Sequence, residues 1–217
     1  MGLNRLLLAN LRKEYSEHVL IESQAARNPI NQFEKWLLDA VHSKLREPHA
    51  MCLATVGKDK QPSARMVLLK EFSSRGFTFA SSYRSQKALQ LKQNSAAAIV
   101  FYWADLERQI RIEGSIQKTS RIESRKLFSA RPNGSQLAAV ASRQSSTIES
   151  RAELENNYHK LKLIFDGKPI PPPTDWGGYR LVPKRIEFWQ GRKNRLHDRL
   201  LYSKNRQGRW TISRLAP

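Results

Sequence analysis

From Phe33 onward, apolar side chains fall at Phe33, Trp36, Leu37, Ala40, Val41 and Leu45. This is the i, i+3, i+4, i+7, i+8 recurrence of an amphipathic helix. Asn28-Pro29 punctuates the chain before it, and Asn31 with Glu34 has the spacing of a capping pair at its start. After Pro48 the period shortens to two. Met51 to Val56, Ser63 to Phe72, Phe77 to Ser82, Ala96 to Trp103 and Arg108 to Lys118 read as strands, divided by turn chemistry at Gly57-Lys58-Asp59-Lys60 and Ser73-Ser74-Arg75-Gly76. Ser85 to Gln93, Arg121 to Ala130, Gly134 to Ala141 and Ser150 to Phe165 read as helices.

Lys168-Pro169-Ile170-Pro171-Pro172-Pro173 is a stiff, polyproline-like connector. Tyr179 to Gln190 and a last hairpin turning near Asn205-Arg206-Gln207-Gly208 complete a mainly antiparallel sheet. Six to eight strands with peripheral helices predict a mainly β (α+β) fold built on a closed or partly closed barrel. No strand–helix rhythm and no G-x-G-x-x-G support a dinucleotide fold. Residues 1–28 lack sustained periodicity and read as a loosely held arm, leaving 29–217 as a single domain.

Composition narrows the function less than it narrows the class. Hydrophobic residues make up 40% and charged residues 26% of 217, as in ordinary globular proteins. No apolar run is long enough to span a membrane, and the N-terminus is a poor secretory signal, with Arg12 and Lys13 after its apolar patch. Cys52 is the sole cysteine, so a disulfide or thiolate cage within the chain is excluded and a cytoplasmic location is expected. The outlier is charge: 38 Lys+Arg against 19 Asp+Glu, a net +19. Such an excess points to anionic partners, either nucleic acid or phosphorylated small molecules. The five histidines show no metal-ligand spacing, and neither a P-loop nor a G-x-S-x-G elbow is present.

Several segments have the residue types that bind anions, and each has a plainer reading beside it. Arg65-Met66-Val67-Leu68-Leu69-Lys70 lies on a strand apolar enough to be central, with charges at its ends that suit phosphate or surface ion pairing equally. Ser85-Gln86-Lys87 opens a helix whose free N–H groups and lysine suit a phosphate. Arg131-Pro132-Asn133-Gly134-Ser135 is another arginine-plus-hydroxyl pair near a helix start, or simply an N-cap serine and an exposed arginine. Gln109 can donate and accept at once on an alternating strand. Trp176 and Trp189 are core residues or pocket walls. In Arg195-Leu196-His197-Asp198-Arg199, strand alternation would send Arg195, His197 and Arg199 to one face, forming either a site for a planar anion or a solvated basic strand.

In its blocks the chain resembles the pyridoxamine 5'-phosphate oxidase family. The blocks run in order from Leu11-Arg12-Lys13-Glu14-Tyr15 through Arg65 to Lys70, Leu106-Glu107-Arg108-Gln109, Arg131-Pro132, Ser142-Arg143-Gln144-Ser145-Ser146 and Trp176-Gly177-Gly178. They close with Phe188-Trp189-Gln190-Gly191, Arg195 to Arg199 and Arg214-Leu215-Ala216-Pro217. The resemblance implies a split β-barrel of the FMN-binding type, working as a homodimer with sites at the subunit interface. It implies oxidation of pyridoxamine or pyridoxine 5'-phosphate to pyridoxal 5'-phosphate with O2, releasing H2O2, in vitamin B6 synthesis and salvage.

The same resemblance implies FMN contacts at Arg65, Met66, Val67, Leu68, Leu69, Lys70, Ala80, Ser81, Gln86, Lys87, Gln109, Gln144, Ser145, Trp189 and Arg199. Substrate contacts would be Lys70, Leu127, Arg131 and Ser135, with Arg195 and His197 against the ring and Arg12 and Tyr15 closing over it. Three residues depart from the family pattern: Gln86 where an arginine is usual, Ala80 where a larger residue is usual, and Leu127 where a tyrosine is frequent. A split-barrel flavoprotein with another substrate, or a basic nucleic-acid-binding protein, are the competing expectations.

Overall fold

The computed structural model describes residues 14, 15 and 18–217. Arg12, and with it most of the expected arm, lies outside them. The chain falls into two compact units. The first comprises the described residues up to Pro48, Tyr102–Arg111 and Arg185–Pro217; the second comprises His49–Phe101 and Ile112–Lys184.

The second unit holds β1 (Ala50–Val56), β2 (Pro62–Leu68), β3 (Glu71–Ser73) and β4 (Gly76–Ser82), with helices α2 (Gln86–Gln93), α3 (Arg121–Ser129), α4 (Asn133–Ala141) and α5 (Arg151–Ile164). Parts of β5 (Ala96–Trp103), β6 (Arg108–Lys118) and β7 (Trp176–Gln190) complete its sheet, in the order β2-β1-β5-β6-β7-β4-β3. The pairs β1–β2, β1–β5, β3–β4 and β4–β7 are antiparallel. Met51, Leu53, Phe77, Phe79, Ile99, Phe101, Ile112 and Leu181 are fully buried, and Phe128, Leu137, Ile170 and Trp176 form a further core cluster. Alternation explains β1 well: Met51, Leu53 and Thr55 point inward between less buried neighbours.

The expected single strand from Ser63 to Phe72 is two strands. At its break the ladder changes partner: Leu69 N donates to His49 O (2.9 Å), and Lys70 N donates to Thr78 O (2.8 Å). The chain thus leaves β1 and joins β4 within two residues. For the same reason β2 is an edge of the strand order rather than central, and Met66 is 64% exposed. Nine strands are present among the described residues, one more than the upper expectation.

The first unit contains α1 (Pro29–His42), the remaining parts of β5 to β7, and the strands β8 (Asp198–Lys204) and β9 (Trp210–Arg214). β8 pairs antiparallel with both β7 and β9. Its core stacks Trp36 on Phe188 at 5.2 Å and Phe188 on Tyr202 at 5.4 Å, both edge-to-face. Helix α1 starts earlier than the Asn31–Glu34 spacing suggests: Asn28 is the cap, its side chain accepting from Ile30 N at 2.9 Å, and Pro29 takes the first turn, where its missing N–H costs nothing. It also ends at His42, before Leu45. The Ser/Glu capping box occurs instead at Ser120 and Glu123 of α3.

Candidate active site

In the second unit a cavity of about 410 Å³ is lined by Met66, Val67, Leu68, Lys70, Ala80, Ser81, Lys87, Leu127, Ala130, Arg131, Pro132, Ser135, Gln144 and Trp176. It gathers most of the anion-binding candidates that lie far apart in sequence. Lys70, Lys87 and Arg131 face it, and no carboxylate lines it. A larger cavity, about 490 Å³, shares Ala80, Ser81, Arg131, Gln144 and Trp176 and extends along α4 and α5.

The electrostatics of this cavity are unfavourable without an anion. Lys87 is only 7% exposed, and its ammonium donates to Ser81 Oγ at 3.3 Å. Burial, then the nearby Arg65 charge, push its pKa down from the ordinary lysine value. Ser81 Oγ donates in turn to Gln144 Oε1 (2.9 Å), which also accepts from Ser82 N (3.1 Å), so the amide is held by two partners. Ser85, the cap residue of α2, directs its hydroxyl to Ser82 O (2.8 Å) and makes no side-chain cap bond. The first-turn N–H groups of α2 therefore lack a side-chain acceptor beside Lys87.

Arg131 lies half-buried above Trp176 (5.3 Å), donates from Nη2 to Ser135 O (2.9 Å), and has a buried Nε with no partner. Burial lowers its pKa as well. Ser135 sits inside the first turn of α4, so the reading of an N-cap serine beside an exposed arginine does not hold.

Not every expected residue lines this cavity. Arg65 turns to its own neighbours, donating to Thr55 Oγ1 (2.6 Å), Ser63 Oγ (2.6 Å) and the carbonyls of Leu53 and Ser63 (3.2 and 3.1 Å). Leu69 is buried away from the lining; Gln86 is exposed on the first turn of α2, and Ser145 is exposed with a left-handed backbone (φ 71°). Arg84, which precedes Gln86 by two positions, pairs with Asp175 at 2.9 Å.

The first unit holds the other residues. Gln109 lies on β6, Trp189 on β7 and Arg199 on β8, the last two directly opposite across the ladder. Arg199 donates to Glu187 Oε1 and Ala216 O, both at 2.8 Å. Arg195 and His197 are not on a strand, contrary to the alternation expected of them. Lys193–Arg195 form a 3-10 turn, Asn194 and Arg195 have positive φ (55° and 61°), and β8 begins only at Asp198. The side chains are therefore presented from a loop, with Arg195 exposed.

His197 stacks tilted on Trp189 at 4.6 Å, and its Nδ1 accepts from Arg192 N (3.1 Å), which assigns the ring proton to Nε2. Burial, then Arg195, lower its pKa below the ordinary 6.5. Tyr15 meets both rings edge-on at 5.8 Å. Gly191 is required there, since a Cβ would come within 2.8 Å of Tyr15 Cγ. Sequence reasoning missed Glu187, buried between Arg111 (3.3 Å) and Arg199, although an acid inside the apolar run Ile186-Glu187-Phe188-Trp189 was a visible signal.

The cavity of the second unit gathers three cations and no carboxylate, and Tyr15, Trp189 and His197 form an aromatic cluster in the first. Comparison with known proteins identifies the family. Residues 37–165 match the model described as "Pyridoxamine 5'-phosphate oxidase", and residues 176–217 match the "Pyridoxine 5'-phosphate oxidase C-terminal dimerisation region". The chain is 51% identical over 210 residues to the pyridoxine/pyridoxamine 5'-phosphate oxidase of Rubrobacter xylanophilus, covering 97% of this chain and 96% of that one. It is also 51% identical over 212 residues to that of Burkholderia cenocepacia, covering 97% and 99%.

Among solved structures, PhzG from Burkholderia lata in complex with tetrahydrophenazine-1-carboxylic acid superposes with a TM-score of 0.88 at 30% identity, covering 93% of this chain and 100% of that one. A pyridoxamine 5'-phosphate oxidase-related, FMN-binding protein from Nostoc punctiforme shares the fold (TM-score 0.71, 20% identity, 88% and 98% covered). The chain belongs to the pyridoxamine 5'-phosphate oxidase family and has its split-barrel fold. Among the described residues no helix is long and apolar enough to cross a membrane, and no group of three or more metal-ligating side chains occurs.

Proposed function

We propose that the protein is an FMN-dependent oxidase converting pyridoxamine or pyridoxine 5'-phosphate to pyridoxal 5'-phosphate, in the cytoplasm, as part of vitamin B6 synthesis and salvage. The observation that carries this reading is the acid-free cavity in which Lys70, Lys87 and Arg131 converge. Lys87 is buried and Arg131 half-buried, while Lys70 is exposed; desolvated cations without a carboxylate are costly, and a phosphate dianion relieves that cost. Two phosphates are needed, one on the cofactor and one on the substrate, and the cations fall into two sets.

Lys87, Ser81 and the open first turn of α2 are suited to the FMN phosphate, with Arg65 behind them. The Met66 to Leu68 edge, Ala80 and Gln144 offer a wall for its ring, and Gln109, Trp189 and Arg199 are its further contacts in this reading. Lys70, Arg131 and Ser135 receive the substrate phosphate, and the unpartnered Nε of Arg131 supplies a donor already desolvated. Leu127 adds only apolar contact there.

Arg195 and His197 align the substrate ring. His197 does so as a neutral donor from Nε2, because Arg192 N occupies Nδ1. Arg12 and Tyr15 close over the substrate and exclude water. The chemistry supplied by FMN when bound is two-electron acceptance from the C4' carbon and return of those electrons to dioxygen. Alcohol plus O2 gives aldehyde plus H2O2; the amine consumes one water in addition and releases ammonia. The working form in this reading is a homodimer with its sites at the subunit interface; the match of residues 176–217 to a dimerisation region supports the dimer. Titration of apo-protein with FMN, followed by addition of pyridoxine phosphate under air, tests the reading. Saturable flavin binding with aldehyde and peroxide formation is expected; flavin binding without turnover would transfer the fold to another substrate.

A further inference from the structure

Residues 18–22 are tied to the C-terminal strands by an arginine-centred clamp. Arg214 grips Glu22 with a two-pronged bond, Nε to Oε1 at 2.9 Å and Nη2 to Oε2 at 2.8 Å. Its Nη1 donates to Asp198 Oδ1 (2.7 Å) and its Nη2 also to Leu20 O (3.0 Å). Asp198 Oδ2 accepts from Leu20 N (3.1 Å), so both backbone groups of the buried Leu20 are taken up. Arg192 completes the arrangement by donating to His18 O (2.9 Å) and lying 3.5 Å from Asp198. Asp198 is the single acid between residues 192 and 217, a stretch with eight lysines and arginines, so its place in the clamp is not a generic ion pair. Such a network, joined to main-chain groups, holds geometry in a way an isolated exposed pair does not.

Three residues before His18 stands Tyr15, packed on Trp189 and His197. We propose that Arg214 is a positioning residue, which through Glu22, Leu20 and Asp198 seats the segment carrying Tyr15 against the Trp189–His197 pair and so sets how tightly the substrate ring is covered. This rests on the proposed oxidase reading for its consequence in turnover, but not for the seating itself. The clamp has no residue among those lining the cationic cavity, and it reaches a ring only through Arg192, whose main-chain N donates to His197 Nδ1 at 3.1 Å. Its loss therefore uncovers the substrate side while leaving the cofactor phosphate site intact.

Glu22→Gln and Arg214→Met, in the FMN-loaded enzyme, test this against Arg214→Lys, which keeps the charge and loses the fork. For Glu22→Gln and Arg214→Met, KM for pyridoxine phosphate should rise on the order of 10-fold, with kcat and FMN affinity within about 2-fold; Arg214→Lys should fall between. Independently of activity, the His197 imidazole, identified by loss of its NMR signal in His197→Asn, should titrate closer to the ordinary histidine value in both variants, because Tyr15 no longer shields it. A His197 titration identical to the parent's overturns the seating. A shifted titration with unchanged KM overturns its role in substrate binding. Parallel losses of thermal stability, kcat and FMN affinity would make the clamp merely structural and also overturn the proposal. Absence of turnover in the parent protein would instead count against the oxidase reading, with the His197 titration still deciding the seating.

Discussion

Lys87→Met separates an anion site from a structural lysine. Methionine keeps the length and apolar stem of Lys87 and removes the ammonium, in a position only 7% exposed. In the apo-protein that charge is a burden: it is desolvated, it lies near the Arg65 guanidinium, and among the described residues its polar contact is the 3.3 Å bond to Ser81. Removing it should raise the melting temperature of the apo-protein. With FMN present the balance reverses, because a charge-assisted bond to phosphate is worth about 1.5–3 kcal/mol, or roughly 10- to 150-fold in Kd. Thermal melts and FMN titrations of both forms measure the two effects together. The parent should show the lower apo melting point and the larger gain on FMN addition. If the variant's apo-protein melts lower and its FMN affinity is unchanged, Lys87 is a packing residue and the phosphate assignment fails.

Other outcomes follow from the same geometry. Gln86→Arg restores a cation at an exposed position on the first turn of α2; FMN should bind about 5- to 30-fold more tightly, the gain shrinking with salt, as apo-protein titrations at two ionic strengths would register. His197 has a depressed pKa, so its neutral form, and the contribution it makes, is complete above 6.5 and is lost as pH falls below that value. The acid limb of kcat/KM should accordingly lie below 6.5 in the parent and move upward in Arg195→Leu, which removes the second cause of the depression; the same variant should lose about 10-fold or more in kcat/KM with little change in FMN content. If the working form is a dimer, FMN affinity should weaken on dilution below the dimerisation constant; a monodisperse monomer with full activity in sedimentation and assay would contradict it.

Much of the fold was legible because its signals are local. α2, α3, α4 and α5 lie within one or two residues of their expected bounds, each set by a short run of periodic apolar residues and a polar start. The split between β2 and β3 was not legible, since the Leu69–Lys70 step depends on which neighbour each residue bonds, His49 or Thr78, and neither choice alters the local pattern. The Arg195–Arg199 alternation misled for a related reason: polar and apolar residues do alternate there, but Asn194 and Arg195 adopt left-handed conformations, which an asparagine tolerates and so signals weakly and an arginine does not signal at all. The cationic cavity was legible piece by piece as weak anion motifs; that Lys70, Lys87 and Arg131 meet in one place follows from sheet order and helix placement. The Arg214 clamp joins residues 192 positions apart and left no trace in any window of sequence.

The claim at the centre of this account is that the cationic cavity brings a phosphorylated pyridine to a bound flavin. Anaerobic mixing of the FMN-loaded protein with pyridoxine 5'-phosphate, followed by an oxygen pulse, tests it most directly. The account predicts bleaching of the flavin's visible absorption, one pyridoxal phosphate formed per flavin, and recovery of the colour with one hydrogen peroxide when oxygen enters; unphosphorylated pyridoxine should bleach it far more slowly. Flavin that stays oxidised under saturating pyridoxine phosphate, or is bleached equally well by pyridoxine, would contradict it.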